Sequence, residues 1–484
     1  MAVSKQELKQ RAIAAIDKNR DKIIALGDSI FSEPELGYKE VKTSAKLKAV
    51  FDELGYKYQD GVAVTGIVAP LKGKESKIRV AVMGEMDAVV APGHRCANKE
   101  TGAAHSCGHN CMCAGLAGVA YALKDTGIME ELSGDVVLMA VPAEEYVEIE
   151  YRNELRKAGK IHFLGGKQEF IRLGVFDDID IMIMQHTANT VDGILASPGG
   201  ASNGFVGKLV RYIGKEAHAG GAPHLGINAL NAAQIGLMAV NANRETFQDK
   251  DHIRVHPIIT KGGDLVNVVP ADVRIETYVR GANVPAILDA SAKVNRAFKA
   301  GADAVGAQCE ITELPGYMPV VTDKNLVEIM TGNLVELFGA EHVNTNPAAG
   351  GGSSDVGDVA SIIPTLQADI GGAEGDFHSE RFEIADKETA YLGAAKALVM
   401  TVIDLLADGA ELGQKVKAEF KPQMTKEQYL KEWGHIESAI PRISVTKDAP
   451  PRRGRRIHKS YTDKIGKGDS SYGSIQTGTQ EKSM

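Results

Sequence analysis

The first 200 residues alternate between stretches with helical periodicity and short apolar runs of strand length. Apolar side chains recur about every 3.6 positions over residues 44–54, and Gly55 ends the run, which is typical of a helix. Because the apolar runs are almost uninterrupted and alternate with helices, they predict a mainly parallel sheet that is covered on both faces. The predicted strands lie at 78–83, 136–141 and 179–184, and further helices at 111–123 and 168–173.

The pattern changes after the glycine-rich segment 198–204. The elements that follow have the order βαββαβ, which is typical of a ferredoxin-like unit and forms a small domain by itself. They are a strand at 206–213, a helix at 228–243, strands at 253–259 and 265–278, a helix at 284–302 and a strand at 308–314. The first pattern then returns, with a helix at 326–337, a strand at 365–369 and a helix at 388–406.

The simplest architecture is an α/β catalytic domain that is interrupted by an inserted lid domain. A chain of 484 residues is longer than one core usually supports, which also favours two domains. We expect the catalytic domain at 1–203 and 318–440, the lid at 204–317 and a C-terminal extension at 441–484. From about residue 450 the extension lacks apolar periodicity, which predicts flexibility.

Composition excludes several classes of protein. The net charge of −8 argues against a protein that binds nucleic acid. No apolar run approaches the roughly 20 residues that span a bilayer, and the N-terminal residues resemble a surface helix rather than a signal peptide. The five cysteines, four of them between Cys96 and Cys113, do not form a disulfide framework in so long a chain. We therefore expect a protein of the reducing cytoplasm, without a membrane.

Side chains that can bind metal follow the predicted strands of the larger domain. Parallel sheets bind ligands beyond the carboxyl ends of their strands, so these side chains should converge. The segment 105–110 adds Cys107 and His109 at the start of a helix, with Asn110 as candidate N-cap. Thiolate, imidazole and carboxylate ligands together suit zinc, and a site richer in oxygen suits manganese. The residues after the strands are Glu85, Asp87, Glu144, Glu145, His186 and His378.

Each of these residues also has an ordinary structural explanation. A single buried histidine is more often a hydrogen-bonded core residue than a ligand, and two adjacent acids usually lie in a solvated loop. Cys111 and Cys113 are expected to be small core residues, and a four-cysteine zinc site would have poor ligand spacing. The segment 200–204 matches a nucleophile elbow, but a strand rather than a helix follows it, so we reject that motif. The combination of ligand types at strand ends favours the metal site.

Five short motifs occur in order at 31–37, 105–110, 142–145, 214–219 and 267–270. Together they resemble the aminoacylase/carboxypeptidase metallopeptidases, in the branch of N-acyl-amino-acid and aminobenzoyl-glutamate hydrolases. Gly-His-Asn at 108–110 and Ser-Ser-Asp-Val-Gly-Asp at 353–358 are most similar to the aminobenzoyl-glutamate hydrolase subunit. The resemblance covers about residues 20–405 and implies a di-metal exopeptidase-like domain with an inserted dimerisation domain.

The resemblance also implies a set of metal ligands. Relatives often carry His-x-Asp where this chain has Glu85-Met86-Asp87, and Cys107 would compensate for the missing imidazole. Asp87 is left open as a ligand or as a residue behind the ligands. The implied ligands of two divalent ions, zinc or manganese, are Cys107, His109, Glu145, His186 and His378.

Further roles follow from the same resemblance. Glu144 matches the general base that activates a metal-bound water. His218, on the inserted domain, matches the residue that reaches the partner subunit's active site and stabilises the oxyanion. Asn267, Arg280 and the main chain near Gly371 match the region that holds the substrate's carboxylate.

These observations predict a metal-dependent hydrolase of N-acyl or N-aroyl amino acids or of dipeptide-like amides, acting as a cytoplasmic homodimer. A hydrolytic deaminase of an aromatic amine, or a non-catalytic member that binds an amino acid or peptide, stays open as an alternative. An intact Glu144 argues against the non-catalytic member. The polar segment 146–167 is interpreted as a surface excursion, with a lid over the pocket as alternative. The region after Asp408 is longer than the core fold needs and either covers a neighbouring subunit or has no role.

Overall fold

Two large β-sheets, a two-stranded sheet (Val89–Val90 with Ala103–Ala104) and packed helices make up residues 3–436, the part of the chain that the computed structural model describes. The strands are β1 (Gln59–Val62), β2 (Gly66–Leu71), β3 (Arg79–Glu85), β4 (Val89–Val90), β5 (Ala103–Ala104), β6 (Asp135–Val141), β7 (Ile181–Asn189), β8 (Ala196–Ser197), β9 (Gly204–Ile213), β10 (Arg254–Val255), β11 (Ile258–Lys261), β12 (Asp272–Gly281), β13 (Gln308–Leu314), β14 (Thr365–Glu374) and β15 (Glu383–Ile384).

The helices are α1 (Lys5–Lys18), α2 (Arg20–Phe31), α3 (Val41–Glu53), α4 (His109–Thr126), α5 (Ile149–Lys157), α6 (Gly166–Arg172), α7 (Ala229–Ala242), α8 (Val284–Val305), α9 (Lys324–Phe338), α10 (Val356–Ala360), α11 (Ala394–Leu406), α12 (Glu411–Glu419) and α13 (Lys426–Gln428).

The larger sheet has the strand order β1-β2-β6-β3-β7-β14-β15, with β8 beside β14. Its centre, β6-β3-β7-β14, is parallel, and the strands at its edges are antiparallel. Along β3, Val80 and Val82 belong to one hydrophobic core, whereas Ala81 and Met83 belong to another on the opposite face. The prediction of a mainly parallel sheet buried on both faces is therefore confirmed.

Helix α4 is buried along most of its length because small residues let neighbouring helices approach it closely. A Cβ at Gly118 would lie only 2.5 Å from the side chain of Ala395 on α11. A π-helical turn, Glu388–Gly393, leads into α11. The combined segment Glu388–Leu406 is long and apolar enough to cross a membrane, so the expectation that no run reaches this length is wrong. The segment is mostly buried, and its apolar residues form part of the core.

The second sheet is antiparallel, with β9 between β12 and β13, and β10 and β11 paired to β12. Helices α7 and α8 cover one face of it. The elements follow the predicted βαββαβ order. Two details differ: the strand predicted at 253–259 is divided into β10 and β11, and the one predicted at 265–278 starts only at Asp272. Pro270 lacks the N–H that ladder pairing needs, which accounts for the late start. The domain boundaries stay a prediction.

The region after α11 packs against its own chain. Tyr429 donates a hydrogen bond from its hydroxyl to Asp358 Oδ1 at 2.8 Å, and the Trp433 indole N–H donates to the Gly316 carbonyl at 2.9 Å. Both side chains are buried. The region after Asp408 therefore completes the core as far as residue 436, and the predicted flexible tail lies outside the described residues.

Candidate metal centre

The residues predicted to bind metal meet at the carboxyl end of the larger sheet. Helix α4 begins there at His109, preceded by Gly108 in a left-handed conformation (φ 78°). Glycine is required at this position because a Cβ would lie 2.5 Å from the Thr187 side chain. The prediction of Asn110 as N-cap is wrong, since its amide donates instead to the Tyr391 hydroxyl at 3.1 Å.

Two predicted strand ends are displaced along the sequence. His186 lies inside β7 rather than after it, and β14 continues through Gly371 to Glu374 before the chain reaches His378. The apolar pattern of β7 stops early because its final residues, from His186 to Asn189, line a cavity. Strand β14 continues because it pairs with both β7 and β8.

The five residues implied as ligands converge. Cys107 Sγ lies 3.5 Å from His186 Nε2 and 3.4 Å from His378 Nε2. Glu145 Oε1 lies 3.3 Å from His378 Nε2 and 4.0 Å from His109 Nε2. Ligand atoms that bind one tetrahedral ion at bond lengths of 2.0–2.3 Å lie about 3.3–3.7 Å apart. Cys107 is shared by two compact groups of donors, which are Cys107, His109, His186 and Cys107, Glu145, His378.

Several atoms of this cluster are buried without a hydrogen bond of good geometry within residues 3–436. They are His109 Nε2, Glu145 Oε1 and Glu85 Oε2, whose nearest polar neighbours belong to the cluster itself. Because buried polar atoms are normally satisfied, orphaned donors and acceptors in one cluster indicate that something else binds there. A set of sulfur, nitrogen and oxygen donors fits divalent metal ions.

The adjacent acids Glu144 and Glu145 have opposite electrostatic surroundings. Burial, with the nearby carboxylates of Glu85 and Glu145, raises the pKa of Glu144 well above its ordinary value. Burial acts on Glu145 in the same direction, but the hydrogen bond and charge of His378 outweigh it and lower the Glu145 pKa to about 2. These surroundings favour the ionised form of Glu145 and the protonated form of Glu144.

Asp87 lies behind the cluster. Its Oδ1 is 3.2 Å from His109 Nδ1, and its Oδ2 accepts the Glu145 backbone N–H at 2.9 Å. Asp87 contacts His109 through Nδ1, whereas Glu85 and Glu145 approach Nε2 of the same ring. The geometry favours Asp87 as a residue that orients His109 and not as a ligand.

Sequence reasoning missed a buried charge network beneath the cluster. Glu85 Oε2 lies 3.1 Å from His109 Nε2, and Lys167 Nζ donates to Glu85 Oε1 and Asp355 Oδ1 at 2.5 Å each. All four side chains are buried. One indication was present in the sequence: Lys167 directly precedes the helix predicted at 168–173.

The surface interpretation of segment 146–167 is wrong. Arg152 is fully buried and donates to the Leu164 carbonyl at 2.9 Å, and Lys167 belongs to the network described above. Tyr146 and Val147 line the central cavity. The segment therefore forms part of the cavity wall and of its support.

The donor cluster opens into a cavity of about 720 Å³. One wall is aromatic: Tyr146 packs edge-on against Phe205, Tyr278 and Tyr317, with ring centroids 5.0, 5.7 and 5.4 Å apart. The three tyrosine hydroxyls donate to the backbone carbonyls of Pro315, Tyr146 and Glu144. Because those hydroxyls are already used, the wall presents ring surface to a ligand.

Arg280 lines this cavity, but the other residues predicted to contact substrate do not. The Arg280 guanidinium lies over the rings of Phe205 and Tyr278 and donates to Ser353 Oγ at 2.9 Å. His218 and Asn267 are exposed on the inserted segment, and Gly371 is buried inside β14 against Leu195. Within one chain the structure does not bring these three residues into the cavity, and their roles stay predictions.

Residues 81–403 match Peptidase family M20/M25/M40. The chain belongs to this family. The Xaa-Arg dipeptidase of Mus musculus is 29% identical over 445 residues, which cover 87% of this chain and 94% of that protein.

Two solved structures show the same M20 fold. The aminobenzoyl-glutamate utilization protein from Klebsiella pneumoniae has a TM-score of 0.61 at 18% identity, covering 80% of this chain and 97% of that one. The Bacillus subtilis YXEP protein, described as a dinuclear metal binding peptidase from the M20 family, has a TM-score of 0.59 at 20% identity, covering 81% and 99%. As a member of this family the chain is a hydrolase of carbon–nitrogen amide bonds.

Proposed function

We propose that this M20 member is a two-metal amidohydrolase that cleaves an N-acyl or N-aroyl amino acid or a dipeptide-like amide. The convergence of Cys107, His109, Glu145, His186 and His378 beside Glu144 carries the proposal. Membership of a peptidase family favours amide hydrolysis over the deamination of an aromatic amine and over binding without catalysis.

The donor groups suggest how two ions would be held. One group offers His109 and His186, the other offers Glu145 and His378, and Cys107 is common to both. Ions bound there supply Lewis-acid polarisation of the amide carbonyl and make a water molecule more acidic. The thiolate favours zinc, and manganese stays the alternative.

Glu144 is proposed as the general base. It lines the cavity beside the donor cluster, and its raised pKa suits a group that takes a proton from water and passes it to the leaving amine. Its backbone carbonyl accepts a hydrogen bond from the Tyr317 hydroxyl, which fixes the chain at this point.

Arg280 is proposed to bind the substrate's carboxylate. A guanidinium binds a carboxylate through two parallel hydrogen bonds, and Arg280 has no acidic partner in the part of the chain that the structure describes. The aromatic wall beside it would contact the acyl or aroyl portion. The names of the relatives, an Xaa-Arg dipeptidase and an aminobenzoyl-glutamate utilization protein, agree with amides that end in an amino acid.

The enzyme is proposed to act as a homodimer through the segment 204–317. This segment exposes an unusual number of large apolar side chains, and such surfaces commonly mark interfaces. A second copy on this face would bring its own His218 and Asn267 towards the cavity, where a donor for the oxyanion is needed. The exposed side chains are Leu225, Ile235, Met238, Ile258, Ile259, Leu265 and Val266. The cytoplasmic location stays a prediction that five free cysteines support.

A product screen on the metal-loaded enzyme tests the proposal. The substrates are N-acyl amino acids, aminobenzoyl-glutamate, dipeptides and aromatic amines, and the products are free amino acid and ammonia. We expect release of a free amino acid. Ammonia without amino acid would establish the deaminase, and binding without any product would establish the non-catalytic member.

A further inference from the structure

Asp369 is an acid in the cavity that the proposed chemistry does not use. On β14, the side chains of Leu366, Ala368 and Ile370 belong to the hydrophobic core, whereas Gln367 and Asp369 face the opposite side and line the cavity. Asp369 is the direct partner of His186 on the adjacent parallel strand β7. Neighbouring strands lie about 4.8 Å apart, so Asp369 borders the donor cluster.

The Asp369 carboxylate has no partner of its own. It forms no hydrogen bond and no ion pair with any residue between 3 and 436, and it is partly exposed to the cavity that it lines. It is not needed to orient His186, whose Nδ1 already lies 2.7 Å from the Thr187 carbonyl. A carboxylate that lines a cavity without a protein partner is available to a cation that enters from solution.

The same cavity contains an unpaired group of opposite charge. Arg280 is held by Ser353 and two aromatic rings and forms no ion pair among the described residues. Asp369 comes from the larger sheet and Arg280 from the second sheet, and the two charges do not neutralise each other directly. A ligand that fits both must carry a carboxylate and a cation.

We propose that Asp369 binds a cationic group of the substrate while Arg280 binds its carboxylate, so that the preferred amide carries both charges. The inference rests on the proposed function and narrows it. An ammonium or guanidinium would pair with the carboxylate through charge-assisted hydrogen bonds. The cation is either the free amino terminus of a dipeptide or a basic side chain, and both have this chemistry. An N-acyl amino acid without a cationic group would leave the Asp369 carboxylate without a partner.

Four matched substrates distinguish the two sources of the cation. They are a dipeptide that ends in arginine and one that ends in citrulline, each with a free and with an acetylated amino terminus. Citrulline has nearly the shape of arginine without its charge. A preference for arginine in both pairs identifies a side-chain cation, and a preference for the free amine in both pairs identifies the terminus.

Three variants then assign the preference to Asp369. The quantity compared is the ratio of kcat/KM for the substrate with the preferred cationic group to that for its matched partner without this group. In Asp369→Asn we expect this ratio to fall roughly 10-fold to 100-fold, as for loss of a hydrogen bond to a charged group. Asp369→Glu should recover part of the ratio. Glu374→Gln removes an exposed acid at the end of the same strand and serves as the matched control. Metal content, measured in each variant, separates this effect from damage to His186.

The outcomes separate the two proposals. Equal kcat/KM for cationic and neutral substrates in the wild type, or an unchanged ratio in Asp369→Asn, overturns the role of Asp369 while amide hydrolysis stands. A uniform loss on all four substrates together with loss of metal also overturns it, because Asp369 would then support the donor cluster. Failure of the wild type to hydrolyse any amide in the wider screen overturns the proposed function itself.

Discussion

Two acids that are adjacent in sequence face one cavity because of the residue before them. Successive residues of a strand point to opposite faces, but Ala143 has a left-handed backbone (φ 56°) that ends the alternation of β6. Its N–H donates to Glu40 Oε1 at 2.8 Å, and its carbonyl accepts from Arg152 at 3.3 Å, which holds the conformation. Glu144 and Glu145 both line the cavity as a result, with different pKa values.

The Glu144→Gln variant should keep its metal and lose most of its turnover. The amide is nearly the same size but cannot take a proton, and general acid–base catalysis contributes roughly 10²–10⁴-fold. Metal content by atomic absorption and kcat on the best substrate check this expectation. Rates like those of the wild type would exclude Glu144 as the base.

Loss of Cys107 should change the metal more than loss of any single histidine, since it is the one sulfur donor of the cluster and belongs to two of its donor groups. In Cys107→Ser we expect weaker binding of zinc and a relative gain for manganese, because the softer ligand is replaced by oxygen. The check is reactivation of chelator-treated protein with each metal in turn. Cys111→Ser, on a buried cysteine outside both groups, is the control. An identical metal preference in both variants would contradict the shared position of Cys107.

Side chains that can bind metal, Glu85 among them, could be predicted to meet because the strand ends of a parallel sheet converge. The contact of Glu85 with Lys167 could not, since nothing in a single sequence shows that a lysine at the end of a polar segment is buried under a strand end. Arg280 was placed correctly in the cavity, whereas His218 and Asn267 lie on a surface that one chain leaves open. In the proposed homodimer, their place in a site depends on the second copy of the chain.

At the scale of the elements, the second sheet is joined to its helices by a buried polar cluster. Lys208 on β9 donates to Glu313 on β13 at 2.6 Å and to Ser291 and Asn295 on α8 at 2.6 and 2.9 Å. Burial lowers the pKa of Lys208 although Glu313 opposes that effect. The hydrophobic pattern predicted these elements but not this cluster, in which Lys208 shares the covered face of β9 with Val210 and Tyr212. The cluster replaces apolar packing at this point.

The Lys208→Met variant should be destabilised by about 3–5 kcal/mol, since it leaves the Glu313 carboxylate buried without its cation. The double variant Lys208→Met/Glu313→Leu should recover most of this loss, because both buried charges are then removed. Thermal unfolding of both proteins checks the expectation. Arg211→Gln, which breaks an exposed ion pair with Asp272, is the control and should change the unfolding temperature little. Equal loss in the single and double variants would contradict the argument.

At the scale of the whole molecule, the cavity is built by both sheets. The larger sheet contributes His186 and Asp369, and the second sheet contributes Phe205 and Arg280. The order of predicted elements indicated both large sheets. The way the sheets enclose one cavity depends on segment 146–167 and on residues near Ser353, where the sequence has no hydrophobic periodicity from which structure could be predicted. The proposed completion of the site by a second copy is likewise a property of the whole molecule.

Subunit mixing tests that completion. Neither Glu144→Gln nor His218→Ala should be active alone, but a mixed dimer would contain one site with both native residues. Random exchange in a symmetric dimer should restore about a quarter of the wild-type activity. The measurement is kcat after the two variants are unfolded and refolded together, with each refolded alone as control. No recovery in the mixture would place His218 outside the neighbouring site.

The chain has a single tryptophan, Trp433, and it lies in the segment that closes the core after α12. Its indole is buried and hydrogen-bonded to Gly316, where the second sheet returns to the larger one. Excited at 295 nm or thereabouts, where tyrosines scarcely absorb, the protein therefore emits light from one known position. Movement of the C-terminal segment or of the crossing at Gly316 can be followed optically, without a label and without disturbing the aromatic wall of the cavity.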